Sequence, residues 1–265
     1  MVCFGKKKMR NIIVTTSWDD GTSIFELRLS GLLKKYNLKG TFYISQNLKL
    51  KEDSPVFVKI SEEDIKKISV DHEIGAHTLS HIRLAGLDNS SVGAEVGSSK
   101  KWLEGLLNKS IKMFAYPYGS VDKETEKIVK ENGFIGARTT DLFKTTIENA
   151  FLMGTTIHCY PFFPNNKSWS LAYRTKVFAS KFLTNFRTIS EFKLPIFSLF
   201  GWSSFAISFF EYVARNGGIF HIWGHSWEIE KYNLWNDLEK IFQHISNRKD
   251  VSYLTNSEVI NQYGK

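Results

Sequence analysis

Cysteine is nearly absent from this chain. Its 265 residues include only Cys3 and Cys159, too few and too far apart for a disulfide framework or a thiolate zinc cluster. A small stapled scaffold is excluded, and a reducing compartment is the expectation. Proline is scarce too, and three of the five, Pro161, Pro164 and Pro195, fall close together. The first ten residues, Met1 to Arg10, are basic but pass straight into a strand-like run without an apolar core and small-residue cleavage site, so export by a signal peptide is not expected. No long hydrophobic run is present. The uncharged stretch from Leu194 to Phe210 is broken by Pro195, Gly201 and serines and is too short to span a bilayer. It reads as a buried helix or packing loop, with an interfacial patch that meets a lipid-linked substrate as the alternative. No glycine-rich phosphate loop follows the first strand, which weighs against nucleotide binding.

Acidic residues are outnumbered, 27 against 35 lysines and arginines, for a net charge of +8. The excess is spread along the chain. It is compatible with an anionic glycan, lipid phosphate or membrane surface, and no recognised motif accompanies it that would indicate nucleic acid. The expected location is cytoplasmic, with peripheral membrane contact as an option.

What is present is a large core and a repeating pattern. With 42% hydrophobic residues, the chain can form one sizeable domain. Apolar β-branched runs at Asn11 to Thr16, Gly40 to Ile44, Glu73 to Ala76, Lys112 to Ala115, Ile135 to Arg138 and Gly218 to Trp223 read as strands. Helical patterns separate them at Ile24 to Tyr36, Ser61 onward, Ser91 to Asn108, Asp122 to Asn132, Ser203 to Asn216 and Leu234 to Ile245. Strand then helix, repeated, predicts a parallel sheet. The expected class is α/β, a deformed (β/α) barrel of about seven strands forming a single domain over residues 1–265, with an irregular aromatic-rich excursion at about 139–202.

The chemistry-bearing residues fall at the ends of these strands. Asp19 and Asp20 close the first, within Ser17-Trp18-Asp19-Asp20-Gly21. Side chains of successive strand residues diverge, so one acid can ligate a metal while its neighbour works on substrate. His77 and His81 follow the third strand, and a four-residue spacing brings both imidazoles to one side if the segment is a helical turn. With one carboxylate they make a two-histidine, one-carboxylate metal site. His225 ends the last strand, with His221 on the same face as a packing residue.

Four segments, Ser17 to Gly21, Glu73 to His81, Tyr116-Pro117-Tyr118-Gly119 and Ile222-Trp223-Gly224-His225, resemble the successive motifs of the NodB-like polysaccharide deacetylases, metal-dependent carbohydrate esterases. The resemblance implies a divalent metal, usually zinc, held by Asp20, His77 and His81. It implies Asp19 as general base, the Tyr118 amide as oxyanion donor and His225 as general acid. The substrate it implies is an N-acetylated amino sugar in a polysaccharide or glycan precursor. Alternatives are a deformylase or other amide hydrolase acting on a lipid- or nucleotide-linked sugar, and a carbohydrate-binding relative without catalysis. Trp18, Tyr116 and Trp223 are the aromatic candidates for stacking on a sugar ring, with Trp227 also available.

Two departures stand out. Many members carry an arginine two residues before the third motif's proline, where it braces the catalytic aspartate, and here that position is Ala115. Arg138, at the end of the next strand, is expected to reach Asp19 instead. The fourth-motif aspartate that partners the acid histidine is also missing, and Glu228 and Asp141 are both candidates to replace it.

Overall fold

The computed structural model describes residues 11–48, 58–162 and 171–263. The basic N-terminal segment with Cys3, and Pro164, lie outside the described residues. Eight strands form one sheet: β1 (Ile12–Asp20), β2 (Gly40–Ile44), β3 (Glu73–Ala76), β4 (Met113–Ala115), β5 (Gly136–Arg138), β6 (Ile157–His158), β7 (Gly218–His225) and β8 (Val251–Tyr253). Their order is β5-β4-β3-β2-β1-β7-β6, with β8 beside the first three residues of β1, and all these pairings are parallel. The sheet curls into part of a barrel. Residues 153–158 link its two edges, because Met153 hydrogen-bonds to Ala137 and Thr139 of the β5 side while Thr156 donates to His221 of β7. This is the expected deformed barrel, with two more short strands than the six runs read from sequence. Two- and three-residue strands such as β6 and β8 carry no measurable period.

The helices are α1 (Ser23–Lys35), α2 (Glu62–Asp71), α3 (Asn89–Leu107), α4 (Lys123–Glu131), α5 (Leu171–Glu191), α6 (Trp202–Asn216), α7 (Ser226–Lys231), α8 (Trp235–Ile245) and α9 (Asn256–Tyr263). The local signals act as expected. Ser61 and Asp122 cap α2 and α4 by accepting from the amides of Asp64 and Thr125. The excursion at 139–202 is more regular than its aromatic content suggests, since it contains α5 and contributes β6 to the sheet. The uncharged stretch after Leu194 enters α6, which buries Trp202, Phe205, Phe209 and Phe210. Among the described residues no helix is long and apolar enough to cross a membrane.

All nine residues of β1 are buried, as required of a central parallel strand covered on both faces. Period two then divides the core. Ile12, Val14 and Trp18 join Leu29, Leu33, Phe42, Phe114 and Tyr116 in the layer between sheet and helices. Ile13 faces the other way, with Tyr43, Met113, Ala115, Met153 and Ile219 inside the curl. Gly75 shares that crowded interior, where an added Cβ would lie 2.5 Å from the Tyr43 ring. Several polar groups there pair with one another: Thr15 donates to Asn256 Oδ1, Asn256 donates to Tyr43 Oη, and Ser17 Oγ lies 2.8 Å from His221 Nε2. His221 is therefore a packing residue deep in the curl, its imidazole pushed down to about 3 by burial and by the Arg138 charge.

Candidate active site

The strand ends bring Asp19, Asp20, His77, His81, Tyr118, Arg138 and His225 to one rim. Asp20 ends β1 with φ at 80°, a left-handed backbone rare outside glycine. His77 follows β3, and residues 77–81 are not the helical turn that would most simply bring its ring beside His81. Thr78 and His81 have φ of 61° and 53°, and the segment's polar groups bond outward: Ser45 Oγ donates to His77 O, Asn47 N to Leu79 O, and Ser80 N to Glu95 Oε2. The two imidazoles still converge, their centroids 4.9 Å apart. Four strained residues, Asp20, Thr78, His81 and Tyr118, thus sit around one site, where such backbone conformations persist when surrounding contacts over-determine them.

His77 Nδ1 lies 2.8 Å from Ala115 O. A carbonyl only accepts, so Nδ1 carries the proton and the Nε2 lone pair faces Asp20. His77 Nε2 and His81 Nε2 stand 3.8 and 3.1 Å from Asp20 Oδ1. Neither contact has hydrogen-bond geometry, and this buried oxygen has no donor among the described residues. A buried, donorless carboxylate oxygen facing two imidazole nitrogens fits a divalent cation, and the three ligand atoms lie within 4.8 Å of one another. The other Asp20 oxygen accepts from Trp227 Nε1 at 3.0 Å, a positioning contact that sequence reasoning missed because it treated Trp227 only as an aromatic surface. Burial raises the Asp20 carboxyl, yet the His225, His81 and His77 imidazoles outweigh this and hold it well below the usual carboxylate range. Burial pushes the His77 imidazole down to about 4, so it is neutral and able to ligate at physiological pH.

Asp19 points into the curl. Its Oδ2 is held by Arg138 Nη2 in a short, fully buried ion pair, and its Oδ1 has no partner among the described residues. The Arg138 guanidinium lies over the rings of Trp223 at 4.9 Å and Tyr43 at 5.3 Å. In the β4–β5 ladder Arg138 is the direct partner of Ala115. The arginine absent from position 115 has thus moved one strand sideways on the same rung, and the small alanine leaves room for it. Burial lifts the Asp19 carboxyl, but Arg138, with His77 and His225, brings it below its ordinary value.

His225 is the direct register partner of Asp19 in the β1–β7 ladder. Its Nδ1 lies 2.7 Å from Glu228 Oε2, while its Nε2 faces Asp20 Oδ2 at 3.9 Å. Of the two candidate partners, Glu228 therefore takes the role; Asp141 is exposed and accepts from Thr139 Oγ1 instead. Burial opposes protonation of His225, but the Asp20, Glu228 and Asp19 carboxylates prevail and raise it to about 10. Glu228 is correspondingly lowered to about 2, its burial outweighed by the His158 and His225 imidazoles. His158 is the residue that sequence reading missed outright. It enters from β6, whose two residues gave no periodic signal, and its Nε2 lies 3.1 Å from the same Glu228 oxygen.

The aromatic expectations need correction. Trp18 and Tyr116 are completely buried because period two puts them on the helix-covered face, with Val14 and Phe114. Neither presents a ring to a sugar. Trp223 is on the interior face but is stacked flat on His158 at 4.1 Å and capped by Arg138, so it too is committed to the protein. The exposed aromatic at the rim is Tyr118, 54% accessible, edge-on to His81 at 4.9 Å and beneath the Arg83 guanidinium. Its φ of 59° turns the Pro117–Gly119 segment sharply at the site.

A buried acid underlies the rim. Glu26 of α1 is wholly inaccessible; its Oε1 accepts from Ser226 Oγ at 2.7 Å and, weakly, from Thr22 N at 3.4 Å. Ser226 directly follows His225. Burial raises Glu26 from 4.5 to about 8, the Ser226 and Thr22 hydrogen bonds opposing it only in part. The folded state then holds a proton that the unfolded state releases, so the stabilisation is complete below the unfolded value and is lost as pH rises through the folded one. From this residue alone, unfolding free energy should fall by up to about 1.4 kcal/mol per pH unit between roughly pH 4.5 and 8. Glu26→Gln should flatten that slope. Denaturant titrations at pH 5 and 8 check this: the stability difference between variant and wild type should shift by more than about 1 kcal/mol in the variant's favour at the higher pH.

Comparison with known proteins agrees with this geometry. The family model described as polysaccharide deacetylase matches residues 6–137. Chitin deacetylase 1 of Cryptococcus neoformans is 29% identical over 117 residues, 44% of this chain and 23% of that protein. The peptidoglycan-N-acetylglucosamine deacetylase of Bacillus cereus is 28% identical over 124 residues, 46% of this chain and 42% of that protein. The chain thus matches less than half the length of either relative. Among solved structures, a Mycobacterium smegmatis protein assigned to the polysaccharide deacetylases superposes with a TM-score of 0.64 at 13% identity, covering 98% of this chain and 92% of that one, a likeness of fold. Residues 6–137 carry the first three motif segments, and β7 delivers the fourth to the same rim, so the chain belongs to the polysaccharide deacetylase family.

Proposed function

We propose that the protein is a metal-dependent hydrolase that removes N-acetyl groups from an N-acetylated amino sugar within a glycan or glycan precursor. One observation carries the reading: an aspartate with one oxygen braced and the other without a partner among the described residues stands on the same rung as a histidine held by glutamate, beside a cation-ready donor set. The names of the curated relatives support the choice of an N-acetylated glycan.

Asp20, His77 and His81 would hold the cation, and two imidazoles with a carboxylate suit zinc. When bound, such a cation supplies Lewis acidity, lowering the pKa of water and polarising the amide carbonyl. The protein's own groups carry the protons. Asp19 Oδ1 accepts the proton of the attacking water as its oxygen bonds to the carbonyl carbon, and Arg138 keeps the other oxygen from swinging into that role. The Tyr118 amide, presented by its left-handed turn, donates to the oxyanion that develops. His225 Nε2 then gives its proton to the amine as the C–N bond breaks, while Glu228 fixes the ring through Nδ1.

The test is acetate release from chitin oligomers and from N-acetylglucosamine-containing peptidoglycan fragments, with N-formyl amino sugars in the same panel. Acetate release that is lost on chelation and regained with zinc is the expected result. Preference for the N-formyl substrates would move the assignment to a deformylase, and inertness on all three would remove the catalytic reading.

A further inference from the structure

The described residues hold a second convergence of donor atoms beside the first: His158, His225 and Glu228. Both imidazoles address a single oxygen, Glu228 Oε2, from 3.1 Å by His158 Nε2 and from 2.7 Å by His225 Nδ1. A carboxylate only accepts, so in this arrangement each of those nitrogens carries its proton. The rings meet nearly edge to face, with centroids 6.0 Å apart and planes at 77°. His158 is held in this pose by stacking on Trp223 and Tyr160 and by the Trp202 indole, which donates to its carbonyl oxygen. The two imidazoles are partly open, at 23% and 19% accessibility, over a buried Glu228. A small solute can reach them.

We propose that this cluster is a second, inhibitory zinc site. Zinc would take His158 Nε2, His225 Nδ1 and Glu228 Oε2 as ligands, with water completing the shell. As two Zn–N bonds and one Zn–O bond form, the His225 imidazolium releases its Nδ1 proton to solvent and His158 carries its one remaining ring proton on Nδ1, so both rings ligate as neutral imidazoles and the exchange balances without any redox partner. Tetrahedral zinc bonds near 2.1 Å place adjacent ligands about 3.4 Å apart, so the 3.1 and 2.7 Å contacts of His158 and His225 to Glu228 open by only about 0.3–0.7 Å. The donor set, two imidazoles and one carboxylate, is the same as that of Asp20, His77 and His81. Its effect would be opposite. With zinc on Nδ1, His225 retains one proton at Nε2, and giving that proton up would leave an imidazolate, so the ring no longer serves as an acid. The inhibitory consequence rests on His225 acting as the proposed acid; the site itself does not.

Zinc stoichiometry decides the matter. After chelation and dialysis, calorimetric titration of the full chain with zinc should give two equivalents, the second weaker, and anomalous scattering from zinc-soaked crystals should show two peaks. His158→Phe, which keeps an aromatic ring against Trp223, should lose only the second equivalent, as should Glu228→Gln; Asp20→Ala should lose only the first. Excess zinc should lower kcat severalfold with KM unchanged in wild type, and the ratio of rates with and without excess zinc should return towards one in His158→Phe. One equivalent in wild type, or a second that survives both His158→Phe and Glu228→Gln, overturns the site. Two equivalents without loss of kcat overturns the inhibition. Inertness on every N-acetyl substrate would sink the proposed function, yet the calorimetry and scattering would still decide the site.

Discussion

Arg138→Met is expected to cost about 3–5 kcal/mol of stability and to reduce turnover sharply, because it leaves the Asp19 carboxylate buried without its counterion. The guanidinium is completely inaccessible, lies between the Tyr43 and Trp223 rings, and donates to Thr139 O as well as to Asp19. Attraction between the two charges offsets the desolvation of both, so removing either partner exposes the uncompensated cost of the other. The double variant Asp19→Asn with Arg138→Met should therefore recover much of the stability lost in Arg138→Met alone, a coupling that a denaturant double-mutant cycle measures directly. The ladder supplies a sharper arm. Ala115 and Arg138 are register partners and both face the interior, so Arg138→Ala combined with Ala115→Arg returns a guanidinium to the same rung. Activity of that exchanged protein above that of Arg138→Ala is the expected outcome. Equal stability of wild type and Arg138→Met would end the argument that this arginine braces the base.

Asp19→Asn should lower kcat by about 10²–10⁴-fold, the usual worth of a positioned proton acceptor, while the bound-metal content stays near that of wild type. The amide is isosteric and its oxygen still accepts from Arg138, but the group facing substrate no longer takes a proton. Metal retention follows because Asp20, His77 and His81, the donor set for the cation, are untouched. Turnover assays paired with metal analysis separate the two effects. Wild-type turnover in this variant would remove Asp19 from the mechanism. Loss of metal along with activity would show that the adjacent acids share the ligand role rather than dividing it.

Much of the site was legible before folding because it lies on local pattern. Asp19 and Asp20 sit at the end of a β-branched run, and the parallel sheet puts such ends on one rim whatever the details. The Ala115 gap likewise predicts that a cation must come from elsewhere, and Arg138 is the basic residue closing the adjacent strand. Glu228 against Asp141 was undecidable from spacing, since both are near a strand end; the chain turns directly into α7 after His225, which brings position 228 back to Nδ1. The aromatic reading failed for a different reason. Residue type alone says that Trp18 and Tyr116 suit a sugar, whereas period two, read together with which face the helices cover, buries both.

By itself the sequence determined the alternation of strand and helix, the rim on which the chemistry gathers, the identity of the two acids and three histidines, and the family, because each depends on short-range pattern or on residue type. Only the tertiary structure decided that residues 77–81 form a strained loop rather than a helical turn, that Trp227 holds Asp20, and that His158 from the two-residue β6 shares Glu228 with His225. Those contacts join positions tens to hundreds of residues apart through strand order and register. No local periodicity encodes a rung partner, and only the assembled ladder places Asp19 beside His225 and Arg138 beside Ala115.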